Sequence, residues 1–162
     1  MRAFRHLFVP SGVRRAFPSA VLDEIRHVID DAETGHAGQI VFAVEGSLPA
    51  YEALRGYSTR RRAEEAFSRL RVWDTERNTG VLIYVLLADR AIEIVVDRGV
   101  AAVTDAGEWG AICAAMREQF RKGAYRDGAI AGVKAAGSIL HRHFPLAAAQ
   151  RRDELPDDPV VL

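Results

Sequence analysis

Apolar residues recur along this chain first with the period of a helix and then with that of a buried strand. Val21, Leu22, Ile25, Val28, Ile29 and Ala32 follow Pro18 at i, i+3, i+4 and i+7 spacings, which predicts an amphipathic helix ending at Gly35 or Gly38. Gln39 to Val44 is apolar and β-branched after its first residue and is bounded by Gly38 and the turn signal Gly46-Ser-Leu-Pro49, so it reads as a buried strand. Thr59 stands where an N-cap would open a second helix, whose stripe of Ala63, Ala66, Phe67 and Leu70 gives way to the polar run Asp74 to Gly80. Val81 to Leu87 is apolar except for the Tyr84 hydroxyl, which predicts a central strand covered on both faces. Ala88-Asp-Arg90 turns it into a hairpin partner, Ile92 to Val96.

Asp105 and Glu108 fit a capping box that opens a third helix, with Trp109, Ile112, Cys113, Met116 and Phe120 on its core face and Gly123 as its C-cap. A fourth helix near Tyr125 to Arg142 carries Gly128, Gly132 and Ala136 at four-residue spacing, small residues that would let it approach the sheet closely. From Leu146 onward two prolines and four acids show no periodicity, which predicts a disordered tail.

The order α-β-α-β-β-α-α makes the first two strands parallel through a right-handed crossover and the third antiparallel to the second. The expected fold is an α/β, three-layer α/β/α sandwich on a small mixed sheet of at least three strands. Residues 1–17 read as an N-terminal arm, 18–145 as the domain and 146–162 as the tail.

Composition narrows the function classes. The 22 basic and 22 acidic residues sum to no net charge, which argues against a dedicated nucleic-acid binder or a polybasic membrane-surface protein. The longest apolar run, Val81 to Ala88, falls far short of the roughly 20 residues of a membrane helix, so no transmembrane segment is expected. A lone cysteine, Cys113, excludes an intramolecular disulfide and fits a reducing, cytoplasmic setting. Monomer or weak oligomer is the expected state. The basic residues are 20 arginines and 2 lysines, a skew read as genome composition.

The hairpin returns the end of the third strand to the start of the second. Asp97 and Arg98 should therefore approach Asp74, Glu76 and Asn78, three carboxylates and an amide on loops that Gly80 and Gly99 leave free to bend. Such oxygens suit Ca²⁺ or Mg²⁺. The same residues also fit simple caps, turns and ion pairs. The opposite edge carries Glu45, the loop Gly46 to Ser58, the Asp89-Arg90 turn and, in the first turn of the second helix, Arg60, Arg61 and Arg62, three cations that oppose the helix dipole. A bound anion would resolve that conflict. The alternative is a solvated face on which Arg61 could pair with Glu64 or Glu65. Glu33 and His36, three residues apart, read as an ion pair.

The stretch from Leu70 to Gly99, above all Asn78, then Gly80-Val-Leu-Ile-Tyr84, then Asp97-Arg-Gly99, resembles the TPM domain family, often called TPM phosphatase. Gly38 to Pro49, Trp109 to Met116 and Phe120 to Ala129 agree, and the likeness runs from about Phe17 to Pro145, most like the short soluble bacterial branch. The resemblance implies a single α/β/α domain and points to Asp74, Asn78 and Asp97 as the residues carried over by motif. It implies a loosely defined activity: acid phosphatase, calcium binding, or an accessory role at membrane complexes. Gln39 stands where that branch often has glutamate. Two readings follow. One is a non-catalytic binding or scaffold module with a divalent-cation site, contacting a protein partner or a small phosphorylated ligand. The other is a metal-assisted phosphatase acting on phosphate esters.

Overall fold

The computed structural model describes residues 12–146 and 153–162. Its elements are α1 (Gly12–Ala16), α2 (Ser19–Glu33), β1 (Gln39–Glu45), α3 (Ala50–Leu54), α4 (Thr59–Arg69), β2 (Gly80–Leu86), β3 (Ala91–Val96), α5 (Arg98–Ala101), α6 (Ala106–Arg121), α7 (Tyr125–His143) and β4 (Val160–Val161). The sheet runs in the order β3-β2-β1-β4, with β1 parallel to both β2 and β4, and β2 antiparallel to β3.

β1 and β2 are buried at every position because each face is covered. Ile40, Phe42, Val44, Val81, Ile83 and Val85 point into a core closed by α2, α6 and α7. Val41, Ala43, Leu82, Tyr84 and Leu86 point the other way, onto Ala63 and Ala66 of α4. This is the α/β/α sandwich that the strand patterning implies.

Several local expectations give way to geometry. Ser58, not Thr59, caps α4, accepting the Arg61 N–H at 3.1 Å. Asp105 caps α6 through the Gly107 N–H, and the Glu108 carboxyl, which accepts from the Asp105 backbone N–H as the capping box requires, also pairs with Arg142 of α7. The small-residue stripe of α7 serves helix packing more than approach to the sheet. A Cβ on Gly132 would meet the Met116 sulfur at 2.3 Å, and one on Gly128 the Phe120 ring at 2.8 Å, both side chains of α6. The short α3 and α5 fall in stretches read as loops, since one-turn helices are too brief to show periodicity.

Both chain ends depart from the reading. Of the expected arm, residues 1–11 lie outside the described residues; Val13 and Phe17 are core, and the Phe17 ring stacks edge-on against Phe120 and Tyr125. Of the expected tail, 147–152 lie outside the described residues, while 153–162 are folded onto the sheet. Leu155 is buried, Glu154 and Leu155 both donate backbone N–H groups to Gln39 Oε1 at 2.9 Å, and Val160 and Val161 pair with Ala43 and Val44. The correction has a simple cause. One buried leucine and a two-residue strand leave no periodic signal, yet β1 presents a backbone edge that any short extended segment satisfies.

Candidate functional site

The edge where β1 and β2 begin and β3 ends is where sequence reading placed a cation site. The hairpin does bring Asn78 to Asp97. Asn78 holds a left-handed backbone (φ 55°), its Oδ1 accepts the Arg98 Nε–H at 3.0 Å, and its carbonyl accepts the Gly99 N–H. Asp97 caps α5 with Oδ1 on the Arg98 N–H at 2.7 Å, and its Oδ2 is buried without a hydrogen-bond partner. The Asp74 carboxylate is held by Arg71 at 2.5 Å, and the backbone N–H of Glu76 donates to Glu154 Oε2 at 2.7 Å. Gly80 and Gly99 are not bending points. A Cβ on Gly80 would lie 1.9 Å from the Val72 carbonyl oxygen, and one on Gly99 2.5 Å from that of Arg77. Close backbone approach, not freedom to bend, requires glycine there.

Among the described residues the acids that converge are different ones. Glu33, Asp153 and Asp157 each place a carboxylate oxygen within 4.8 Å of the others. Glu33 ends α2, is 1% exposed, and its Oε1 accepts the Ile40 N–H at 2.7 Å, so it also secures the start of β1. Asp153 and Asp157 come from the C-terminal segment that packs beside it. Sequence reading missed this trio because two of its members lay in the presumed tail, and no spacing rule links them to the end of a helix so distant in the chain.

The expected Glu33–His36 pair on one helix face does not form that way, because α2 stops at Glu33. His36 sits in the following turn, 1% exposed, with Nδ1 against the Gly38 carbonyl at 3.1 Å and Nε2 buried without a partner. Burial, reinforced by nearby His141 and opposed by the Gly38 contact, lowers its pKa to about 4. The unfolded chain therefore binds this proton more readily than the folded one. Stability should be fully present above pH 6.5 and fall as pH drops toward 4, by about 3 kcal/mol in total. Denaturant titrations across that range check it: His36→Phe should lose this part of the slope whatever it costs at neutral pH. An unchanged slope would refute the assignment.

At the opposite edge the three arginines meet acids of the protein itself. Arg62 embraces Glu45, at the end of β1, with Nε 2.8 Å from Oε2 and Nη2 2.6 Å from Oε1. The Tyr84 hydroxyl donates to the same carboxylate. Burial, and then that hydrogen bond, push the Tyr84 pKa strongly up, so its proton stays in place; the bond to Glu45 likewise raises that of Arg62. Arg60 reaches Glu64 at 2.8 Å and the Ile94 carbonyl at 2.7 Å, while Arg61 lies over the Tyr57 ring and near Glu65. Glutamates of the fold thus answer the charge conflict at the start of α4. Cys113 is buried in the core, and burial followed by the Glu93 charge raises its thiol pKa, the reverse of an activated nucleophile.

No helix among the described residues is long and apolar enough to cross a membrane. Comparison with curated proteins gives no match. Among solved structures, the NMR structure of the BA42 protein from the psychrophilic bacterium Bizionia argentinensis sp. nov. superposes with a TM-score of 0.78 at 28% identity, covering 90% of this chain and 94% of that one. The profile of the TPM domain matches residues 13–139, from the α1 helix through nearly all of α7. With the characteristic Asn78, Gly80-Val-Leu-Ile-Tyr84 and Asp97-Arg-Gly99 set on β2 and on the segments that precede it and follow β3, the chain belongs to the TPM domain family.

Proposed function

We propose that this protein is a non-catalytic binding module that takes a divalent cation at the acidic edge of its sheet. The convergence of Glu33, Asp153 and Asp157 carries this reading. Ca²⁺ binds oxygens at about 2.3–2.6 Å, so ligands on opposite sides of the ion stand roughly 5 Å apart, a span that this trio matches. Asp97 Oδ2 and Asn78 lie at the same end of the sheet, in the set Asp74, Glu76, Asn78 and Asp97, which is the alternative centre for the ion. A non-catalytic role is supported by the way the protein uses its reactive groups. Glu45, Arg62 and Tyr84 saturate one another, Cys113 is buried with a raised pKa, and His36 is sequestered from solvent.

Titration of the full chain with Ca²⁺, Mg²⁺ and Mn²⁺, followed by amide NMR shifts and melting temperature, tests the reading. At a hundredfold excess over Kd a bound ion should add about 2.7 kcal/mol of stability. The shifts should centre on Glu33, Asp153 and Asp157, and Asp157→Asn should remove both effects. Shifts centred on Asp74 and Asp97 would transfer the site to the hairpin edge, and no specific shift would end the cation reading. Cation-dependent hydrolysis of a generic phosphate ester, abolished by Asp97→Asn, would replace the binding module with a metal-assisted phosphatase.

A further inference from the structure

The pairing of β1 with β4 marks the place where sheet construction reverses direction. From β1 the chain passes through α3 and α4, the latter packed on one face, to reach β2, whereas it arrives at β4 only after α6 and α7 on the opposite face. At such a boundary the carboxyl ends of parallel strands open a crevice, and open α/β sheets take their ligands there. In this protein the crevice is a cavity of about 810 Å³, within the usual range for small-molecule sites.

Its wall is mostly apolar, formed by Val13, Phe17, Leu22 and Val161. Polar groups gather on one side. Arg14 is exposed and, among the described residues, has no carboxylate partner. Ser19 opens the 15-residue α2, whose N-cap, Pro18, offers no side-chain acceptor and whose first turn holds no acid; Val21 and Leu22 donate to the Pro18 carbonyl, which leaves the N–H groups of Ser19 and Ala20 and the positive end of the helix dipole turned outward. Gly46 and Ser47 complete this side where β1 ends. The acids that neutralise Arg60, Arg61 and Arg62 belong to α4 and to Glu45, not to this cavity.

We propose that this cavity binds a small amphipathic anion, its carboxylate or phosphate head at Arg14 and the start of α2 and its apolar body against Phe17, Leu22 and Val161. The site lies at the opposite end of β1 from the acidic trio, so its test is independent of the cation reading.

Amide-resolved NMR titration of the full chain with octanoate and with octyl phosphate is the experiment. Octanol and inorganic phosphate serve as the separated halves of the ligand. Saturable shifts at Ser19, Gly46, Ser47 and Val161 are expected with at least one amphiphile, and affinity at least about tenfold weaker with either half alone. The stronger of octanoate and octyl phosphate identifies the head group. Arg14→Gln, at an exposed position, should weaken the amphiphile severalfold, while Arg15→Gln, exposed and outside the cavity, should not. Absence of saturable shifts at these four amides would overturn the proposal. So would octanol binding as well as the amphiphiles, or equal losses in the two arginine variants.

Discussion

Arg62→Met should cost about 3–5 kcal/mol at neutral pH, because it strands the Glu45 carboxylate inside the protein. The side chains of the pair are 16% and 5% exposed, and without the guanidinium only the Tyr84 hydroxyl would remain to answer a buried negative charge. Adding Glu45→Gln should restore part of the stability, because it removes the stranded charge while the amide oxygen still accepts the Tyr84 O–H. Denaturant unfolding of the single and double variants at pH 7 measures both effects. A loss below about 1 kcal/mol would mean the pair behaves as a surface ion pair and does not hold β1, β2 and α4 together.

Gly80→Ala should be comparably severe, at about 3 kcal/mol or more, and Gly110→Ala should have the opposite sign. The added Cβ at position 80 would collide with backbone, 1.9 Å from the Val72 oxygen and 2.9 Å from its carbonyl carbon, and Val72 is itself fully buried in the second core. Backbone cannot rotate aside as a side-chain tip does, so relief requires moving the loop after α4 away from the sheet. Gly110 lies exposed within α6 with nothing within 4 Å of its would-be Cβ, so alanine there should add up to about 1 kcal/mol through helix propensity. Melting and denaturant midpoints for the two variants give the comparison, and similar small effects at both sites would contradict the packing described at Gly80.

Much of the fold is legible in the sequence because its central elements carry long, consistent signals. Val81 to Leu87 admits only a strand covered on both faces, and the α6 stripe from Trp109 to Phe120 returns every four or so residues to the same core. The hairpin rule correctly brought Asn78 beside Asp97. The rule could not say which partners these residues would take. The Asp74 carboxylate meets Arg71 three residues back, and the Glu76 backbone amide meets Glu154, a partner that sequence distance conceals. The arginine run of α4 opposes its helix dipole, a conflict visible in the local sequence. Its resolution within the protein depended on Glu45, which only the parallel register of β1 and β2 sets beside Tyr84 and within reach of Arg62.

By itself the sequence determined the α/β/α class, the order of the main helices and strands, and the burial of β1 and β2, since these follow from periodicity and from hydrophobic burial that each segment states locally. The tertiary structure alone decided the fourth strand, the double hydrogen bond at Gln39, the Glu33–Asp153–Asp157 trio and the cavity between α2 and β4. These depend on contacts between chain segments far apart, made by single residues or by backbone edges. Such contacts impose no period on the sequence, so they exist only once the sheet has formed and presented an edge to be covered.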